Sequence, residues 1–294
     1  MSYELIRNEL ATKNGAHLGD VLWWSLSDAR IDRISLEALW AGAGLDAELL
    51  PDAPTAEKAL RLAVREAQVG NQDRLIRLGK ETAEELVYAV VHEQRSGDGA
   101  LDYTTEARMT LDRRRDVFVA DHPTHDLVAS VEARFKTYRT THHPDDVRRT
   151  VVKTLNNLAA VTLRENGGIY WVPAPFAEKT RRLQAAIEKI GASRVYLLPL
   201  HKSADAEKTL GEIAKGSIET ELAALQTEIA SFIGAPPERA STLVRRFDAF
   251  EALRGKARLY REVLAVEVQG LDDQLDKLSG AVEDLLQQKN QEAA

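Results

Sequence analysis

Cysteine is absent from the 294-residue chain, which excludes a disulfide framework, a thiolate zinc site, an iron–sulfur cluster and a cysteine nucleophile. No apolar run approaches the roughly eighteen or more residues of a membrane-spanning helix, so no membrane association is expected. The opening Met1-Ser2-Tyr3-Glu4 lacks the basic and apolar regions of a secretory signal, and the expected location is cytoplasmic. Phosphate-cradling signatures are missing as well. Gly167-Gly168 precedes an apolar run instead of linking a strand to a helix, so it matches neither the Walker nor the dinucleotide pattern. Neither Gly-x-Ser-x-Gly nor His-Glu-x-x-His occurs. No cofactor is expected, and no catalytic residue stands out among the 46 Asp and Glu.

What remains is the composition of a soluble globular protein, 44% hydrophobic and 29% charged, long enough for one large or two modest domains. The strongest pattern lies in the C-terminal third. Leu243, Phe250, Leu253, Ala257, Tyr260, Leu264, Val268, Leu271, Leu275, Leu278, Val282 and Leu285 recur at steps of three and four, with Arg246 the one break. A matching seam precedes them at Ile218, Leu222, Leu225, Ile229 and Phe232. Gly234-Ala235-Pro236-Pro237 ends the first helix and bars its continuation. The expectation is an antiparallel, coiled-coil-like helical hairpin over 203–294, with arms of roughly 45 Å and 78 Å at about 1.5 Å per residue. The longer arm overshoots the shorter. Val268, Leu271, Leu275, Leu278, Val282 and Leu285 must then be covered by the body of the protein or by a second subunit.

Upstream, residues 3–69 read as helical: Tyr3 to Lys13, a helix capped by Ser35 through Trp40, and Ala56 to Gln68 capped by Thr55. Val21-Leu22-Trp23-Trp24 reads as core. After Gly70 the period changes to two, giving strands at Arg74–Leu78, Glu85–Gln94, Leu101–Leu111 and Asp116–Ala120. Their short connections make an antiparallel meander. Helices follow near Thr124–Tyr138 and Pro144–Glu165. Ile169–Val172, Ala177–Ile190 and Val195–Leu200 then form a strand–helix–strand unit, whose strands are expected to be parallel. The fold class is α+β: a helical N-terminal segment over 1–70, a meander with a βαβ addition over 71–202, and the helical hairpin.

Charge is uneven. Arg108 to Lys153 holds ten Lys/Arg against seven Asp/Glu, net +3, so the rest of the chain carries −10 of the overall −7. Arg108, Arg113, Arg114, Arg115, Arg134, Lys136, Arg139, Arg148, Arg149 and Lys153 are therefore candidate phosphate contacts for a nucleic acid. The alternative is a solvated sheet edge guarded by charge. Three helices followed by a hairpin is also the element order of a winged-helix domain. Its reading helix, Ala56–Gln68, would expose Lys58, Arg61 and Arg65, with Glu57 and Glu66 sharing the surface. Four of the seven histidines, His122, His125, His142 and His143, lie beside Asp121, Asp126, Asp145 and Asp146. Imidazole with carboxylate suits zinc, manganese or iron, but one cluster precedes a helix of about 15 residues and the other follows it, roughly 22 Å away. Helix-start chemistry explains the same residues: Thr124 as a cap, Pro144 at the first position, Asp145 and Asp146 at the positive end of the dipole. No metal site is assigned.

Gly167-Gly168-Ile169-Tyr170-Trp171-Val172-Pro173, after a meander and before a coiled-coil-like end, resembles an uncharacterised family of phage and prokaryotic proteins over about residues 35–230. The resemblance implies no activity. The reading is a non-enzymatic interaction or scaffold protein that self-assembles or binds a protein partner through its C-terminal helices. The alternatives are a nucleic-acid-binding protein and a metal-dependent hydrolase.

Overall fold

The computed structural model describes residues 16–27, 29–69, 74–95, 101–165, 167–237 and 239–292. The helix expected at Tyr3 to Lys13 lies outside them. In chain order the elements are β1 (His17–Ser25), β2 (Ile31–Asp32), α1 (Arg33–Gly42), a 3-10 turn (Ala47–Leu49), α2 (Ala56–Gln68), β3 (Arg74–Glu81), β4 (Glu85–Arg95), β5 (Leu101–Asp112) and β6 (Val117–Ala120). Then come α3 (Asp126–Tyr138), β7 (Thr141–His142), α4 (Pro144–Asn157), β8 (Val161–Thr162), β9 (Tyr170–Pro173), α5 (Ala177–Ile187), β10 (Arg194–His201), α6 (Ala204–Gly234), α7 (Ala240–Leu264) and α8 (Leu271–Glu292). The class is α+β with antiparallel sheets.

Two compact units result. One comprises the segment ending at Ser25, Val152–Ala185 and the chain from Arg194 onward; the other comprises Leu26–Val151 and Ala186–Ser193. The division follows the sheets, not the order of the sequence.

The second unit holds the meander, β3-β4-β5-β6, with every neighbour antiparallel. Alternation aims one face of β4 and β5 inward, so Leu86 sits opposite Leu111, Tyr88 opposite Met109 and Val90 opposite Ala107. That face packs on Leu60, Ala63 and Val64 of α2 and on Val128, Val131 and Phe135 of α3. Thr55 caps α2 by accepting the Lys58 N–H at 3.2 Å. At the β5–β6 turn the Asp112 side chain accepts from the Arg114 and Arg115 N–H groups at 2.9 and 3.0 Å, which closes the bend through the arginines. Two caps differ from expectation. Asp32, not Ser35, caps α1, and the His125 ring, not Thr124, accepts the Leu127 N–H at the start of α3. Sequence identifies residues able to cap, while only φ and ψ decide which one sits at the helix entrance.

The first unit departs further. Residues 17–25, read as part of a helical segment, form the central strand of a sheet ordered β10-β1-β9-β8. Leu18, Asp20 and Leu22 share its buried face, while Val21 and Trp23 lie half-buried and exposed on the other, so a carboxylate inside and apolar residues outside hide the alternation. Strand β1 also separates the two strands of the expected βαβ unit. β9 and β10 each pair antiparallel with it, so they run parallel to one another without touching, a split β–α–β arrangement. The helix expected to reach Glu165 stops at Asn157, and Gly167 and Gly168, at φ 70° and 89°, turn β8 into β9.

The longest predicted helix is also revised. Its arm over Glu238–Lys289 is two helices, broken where Ala265 takes φ 53° and caps α7 through its N–H to the Arg261 and Tyr260 carbonyls. The hairpin is therefore a three-helix layer. α8 runs back along α7, as the Arg254–Asp276 ion pair and the Lys289 Nζ bond to the Pro237 carbonyl (2.6 Å) show.

Candidate functional site

The three-helix layer belongs to the first unit. Leu210, Ile218, Leu222, Leu243, Phe250, Leu253 and Tyr260 of α6 and α7 share one apolar core with Leu18, Val161 and Trp171 of the sheet side. The longer arm's seam belongs to that core. Leu271, Leu275, Val282 and Leu285 are buried against it, and Val268 and Leu278 are half-buried against it. Their cover is the same chain's α6 and α7, because the break at Ala265 folds the overhang back. Of the two expected covers, the body of the protein or a second subunit, the structure shows the first. Val268 lies in the connector and not in a helix.

Between α6 and α7 a groove of about 960 Å³ stays open. Ala224, Leu225, Ala249, Ala252, Leu253 and Gly255 line its walls. Two ion pairs cross from one wall to the other: Glu221 with Lys256, and Glu228 with Arg246 at 3.0 Å. Arg246, the one interruption of the sequence seam, thus ties α7 to α6. Small side chains keep the groove wide.

The ten candidate phosphate contacts are largely engaged. Arg113 holds Glu81 at 2.8 Å and Glu57 at 3.0 Å, Lys136 holds Glu132 at 2.7 Å, and Arg148 holds Asp145 at 2.9 Å. Arg114 pairs with Glu84, Arg115 with Asp112 at 3.9 Å, Arg139 with Asp116, and Arg149 with Asp146 at 2.6 Å. Arg134 binds the Ser130 hydroxyl and carbonyl. Arg108 lends its backbone N–H to Asp121 at 2.7 Å, and Lys153 falls in the other unit. Seven of the ten side chains thus pair with acids, and Arg113 and Arg114 do so with acids from outside the stretch. On α2, Lys58 reaches Asp146 at 2.6 Å and Arg61 reaches Glu57 and Glu81 at 2.9 and 2.6 Å, leaving Arg65 as the exposed cation of the three.

The histidine clusters become structural fittings. His125 Nε2 sits 3.0 Å from Glu106. His142 and His143 are buried at the start of α4, where Asp146 takes the His143 N–H at 3.4 Å and both Lys58 and Arg149 at 2.6 Å. Among the described residues no group of three or more metal-ligating side chains is placed to hold an ion.

This centre has a pH consequence. Burial alone would raise the Asp146 carboxyl, but contacts from His142, Lys58 and Arg149 outweigh it and hold the group well below the usual carboxylate range. Burial, with Arg30 nearby, pushes His143 below its ordinary 6.5. Both groups bind protons more readily in the unfolded chain, so both withdraw stability as pH falls. His143 acts first, from about pH 6.5 downward, and Asp146 from about pH 4 downward. Denaturant titration at pH 7.5 and 5.5 should show a loss that shrinks in His143→Gln; equal losses in the two proteins would contradict this.

A second polar centre was not legible. Asp20 is fully buried on β1, with its Oδ1 3.1 Å from His17 Nε2 and its Oδ2 3.6 Å from Arg181 on α5. His201 of β10 lies near His17, its ring tilted by 51° with centroids 5.7 Å apart. The four residues are spread from position 17 to 201, and the signal that links them is the pairing of β1 with β10, which no local window contains.

Among the described residues no helix is long and apolar enough to cross a membrane. These features define an α+β protein with two antiparallel four-stranded sheets, a three-helix layer and an open groove within that layer. The chain belongs to a family of unknown function (DUF6744), whose model matches residues 17–291. No match was found among curated proteins or among solved structures.

Proposed function

We propose that this is a non-enzymatic assembly protein that associates with a second copy of itself through its C-terminal helices. One observation supports the reading: the α6–α7 groove, about 960 Å³, whose small and apolar lining residues stand beside Asn156, Asn157, Glu221, Glu228 and Lys256. Exposed alanine and glycine on both walls let a facing helix approach closely, and a two-fold pairing would set the same α6–α7 surface of each copy against the other.

Light scattering of the full chain over a rising concentration series tests this. The wild-type mass should climb from one chain toward two, and Ala252→Arg, which puts a charged, bulky side chain into the exposed groove wall, should hold it at one. A wild-type protein that stays at one chain throughout removes the proposal.

A further inference from the structure

We infer that α8 is an exchangeable arm: its connector, Ala265–Gly270, can straighten so that α7 and α8 become one rod and α8 packs on a second copy. This rests on the self-assembly reading and names the route by which it occurs.

Three observations carry it. First, apolar steps of three and four continue across the break, with two fours in succession at Tyr260, Leu264 and Val268, a stutter that a straight helix absorbs. Tyr260, Leu264, Val268, Leu271, Leu275, Leu278, Val282 and Leu285 would lie on one stripe of a continuous helix. Second, the break rests on weak local chemistry. Ala265-Val266-Glu267-Val268-Gln269-Gly270 contains no proline. The turn needs Ala265 at φ 53°, a region alanine disfavours, and Gly270 at φ 69°. Third, the occupant is already defined. The surface of α6 and α7 that covers Leu271, Leu275, Val282 and Leu285 exists in every copy. Moving α8 from its own chain to another rebuilds the same contacts and changes only the connector, the condition under which element exchange costs least.

Straightening would make Ala240–Glu292 a rod of roughly 80 Å at about 1.5 Å per residue. The ion pairs that hold α8 in place, Arg254 with Asp276 and Asp272, would re-form between chains.

The chain has no cysteine, so Arg245→Cys with Gln287→Cys gives two unique and exposed spin-label positions. Labelled protein diluted into unlabelled protein reports the distance within one chain. In the dimer fraction it should lengthen to roughly 60 Å, the span of 42 helical residues, and in the monomer it should stay short. Glu267→Pro, which bars a helical connector, should abolish the dimer. Gly270→Ala, which favours helix in both chains and strains the turn, should tighten dimerisation by at least about tenfold. A dimer with a short intrachain distance, indifferent to Glu267→Pro but lost in Ala252→Arg, overturns exchange and leaves the groove reading standing. Monomers in every variant, Gly270→Ala included, overturn both.

Discussion

Replacing Gly19 by alanine should destabilise the unit built around β1 by about 2–6 kcal/mol, the sum of a strained backbone and an overpacked site. Gly19 sits at φ 152°, at the register shift where β1 meets both β9 and β10. A β-carbon there would lie 2.1 Å from the Val172 carbonyl oxygen and 2.6 Å from Trp171 Nε1. Neither obstacle can give way easily. The carbonyl belongs to the neighbouring strand, and Trp171 is fully buried. Urea denaturation followed by tryptophan fluorescence reads the effect. Gly216→Ala is the matched control, in the interior of α6 with nothing within 4 Å of its β-carbon. It should stabilise by up to about 1 kcal/mol through helix propensity. If Gly19→Ala and Gly216→Ala shift the transition alike, the close approach of the three strands is wrong.

The same residue marks the limit of what the sequence discloses. The meander was legible because each of its strands has one covered and one open face, so apolar residues alternate and turn residues punctuate them. Thr55 and Pro144 were legible as helix starts because capping is local. Strand β1 was not, since its buried face carries the charged Asp20 and its open face the apolar Val21 and Trp23, which erases the alternation and leaves Leu18 to Trp24 looking like a piece of helix or core. Its position between β9 and β10 depends on pairing across about 150 to 180 residues, and with it goes the Asp20 centre. The break at Ala265 hides for the opposite reason. Periodicity reports which side chains share a stripe, and that stripe is the same for a straight rod and for a rod folded back on itself. The basic stretch was read correctly as a local excess of cations. The pairs of Arg113 and Arg114 were invisible because Glu57, Glu81 and Glu84 come from earlier elements, whereas four others join residues three or four apart.

Tyr260 offers the second large effect. Its ring is fully buried, 6.0 Å from the Trp171 ring, and its hydroxyl donates to the Ala159 carbonyl at 2.8 Å. One side chain thus joins α7 to the turn before β8, where Ala159 itself holds φ 50°. Tyr260→Ala should cost about 3–5 kcal/mol for the cavity, with about 1–3 kcal/mol more for the orphaned carbonyl. Tyr260→Phe keeps the ring but orphans the same carbonyl, so it should lose only that last contribution, about 1–3 kcal/mol. Burial pushes the Tyr260 phenol above its ordinary 10.0. The unfolded chain therefore releases this proton first, and the stabilisation that is complete below about pH 10 is withdrawn as pH rises. Denaturant midpoints measured from pH 8 to 10.5 should fall in the wild type and fall less in Tyr260→Phe. Because Tyr260 precedes the connector by one turn, the Phe variant also separates anchoring from exchange. If the hydroxyl only anchors α7, dimerisation should be unchanged while stability drops. A change in both would mean that the Ala159 contact holds α7 at the angle from which α8 folds back.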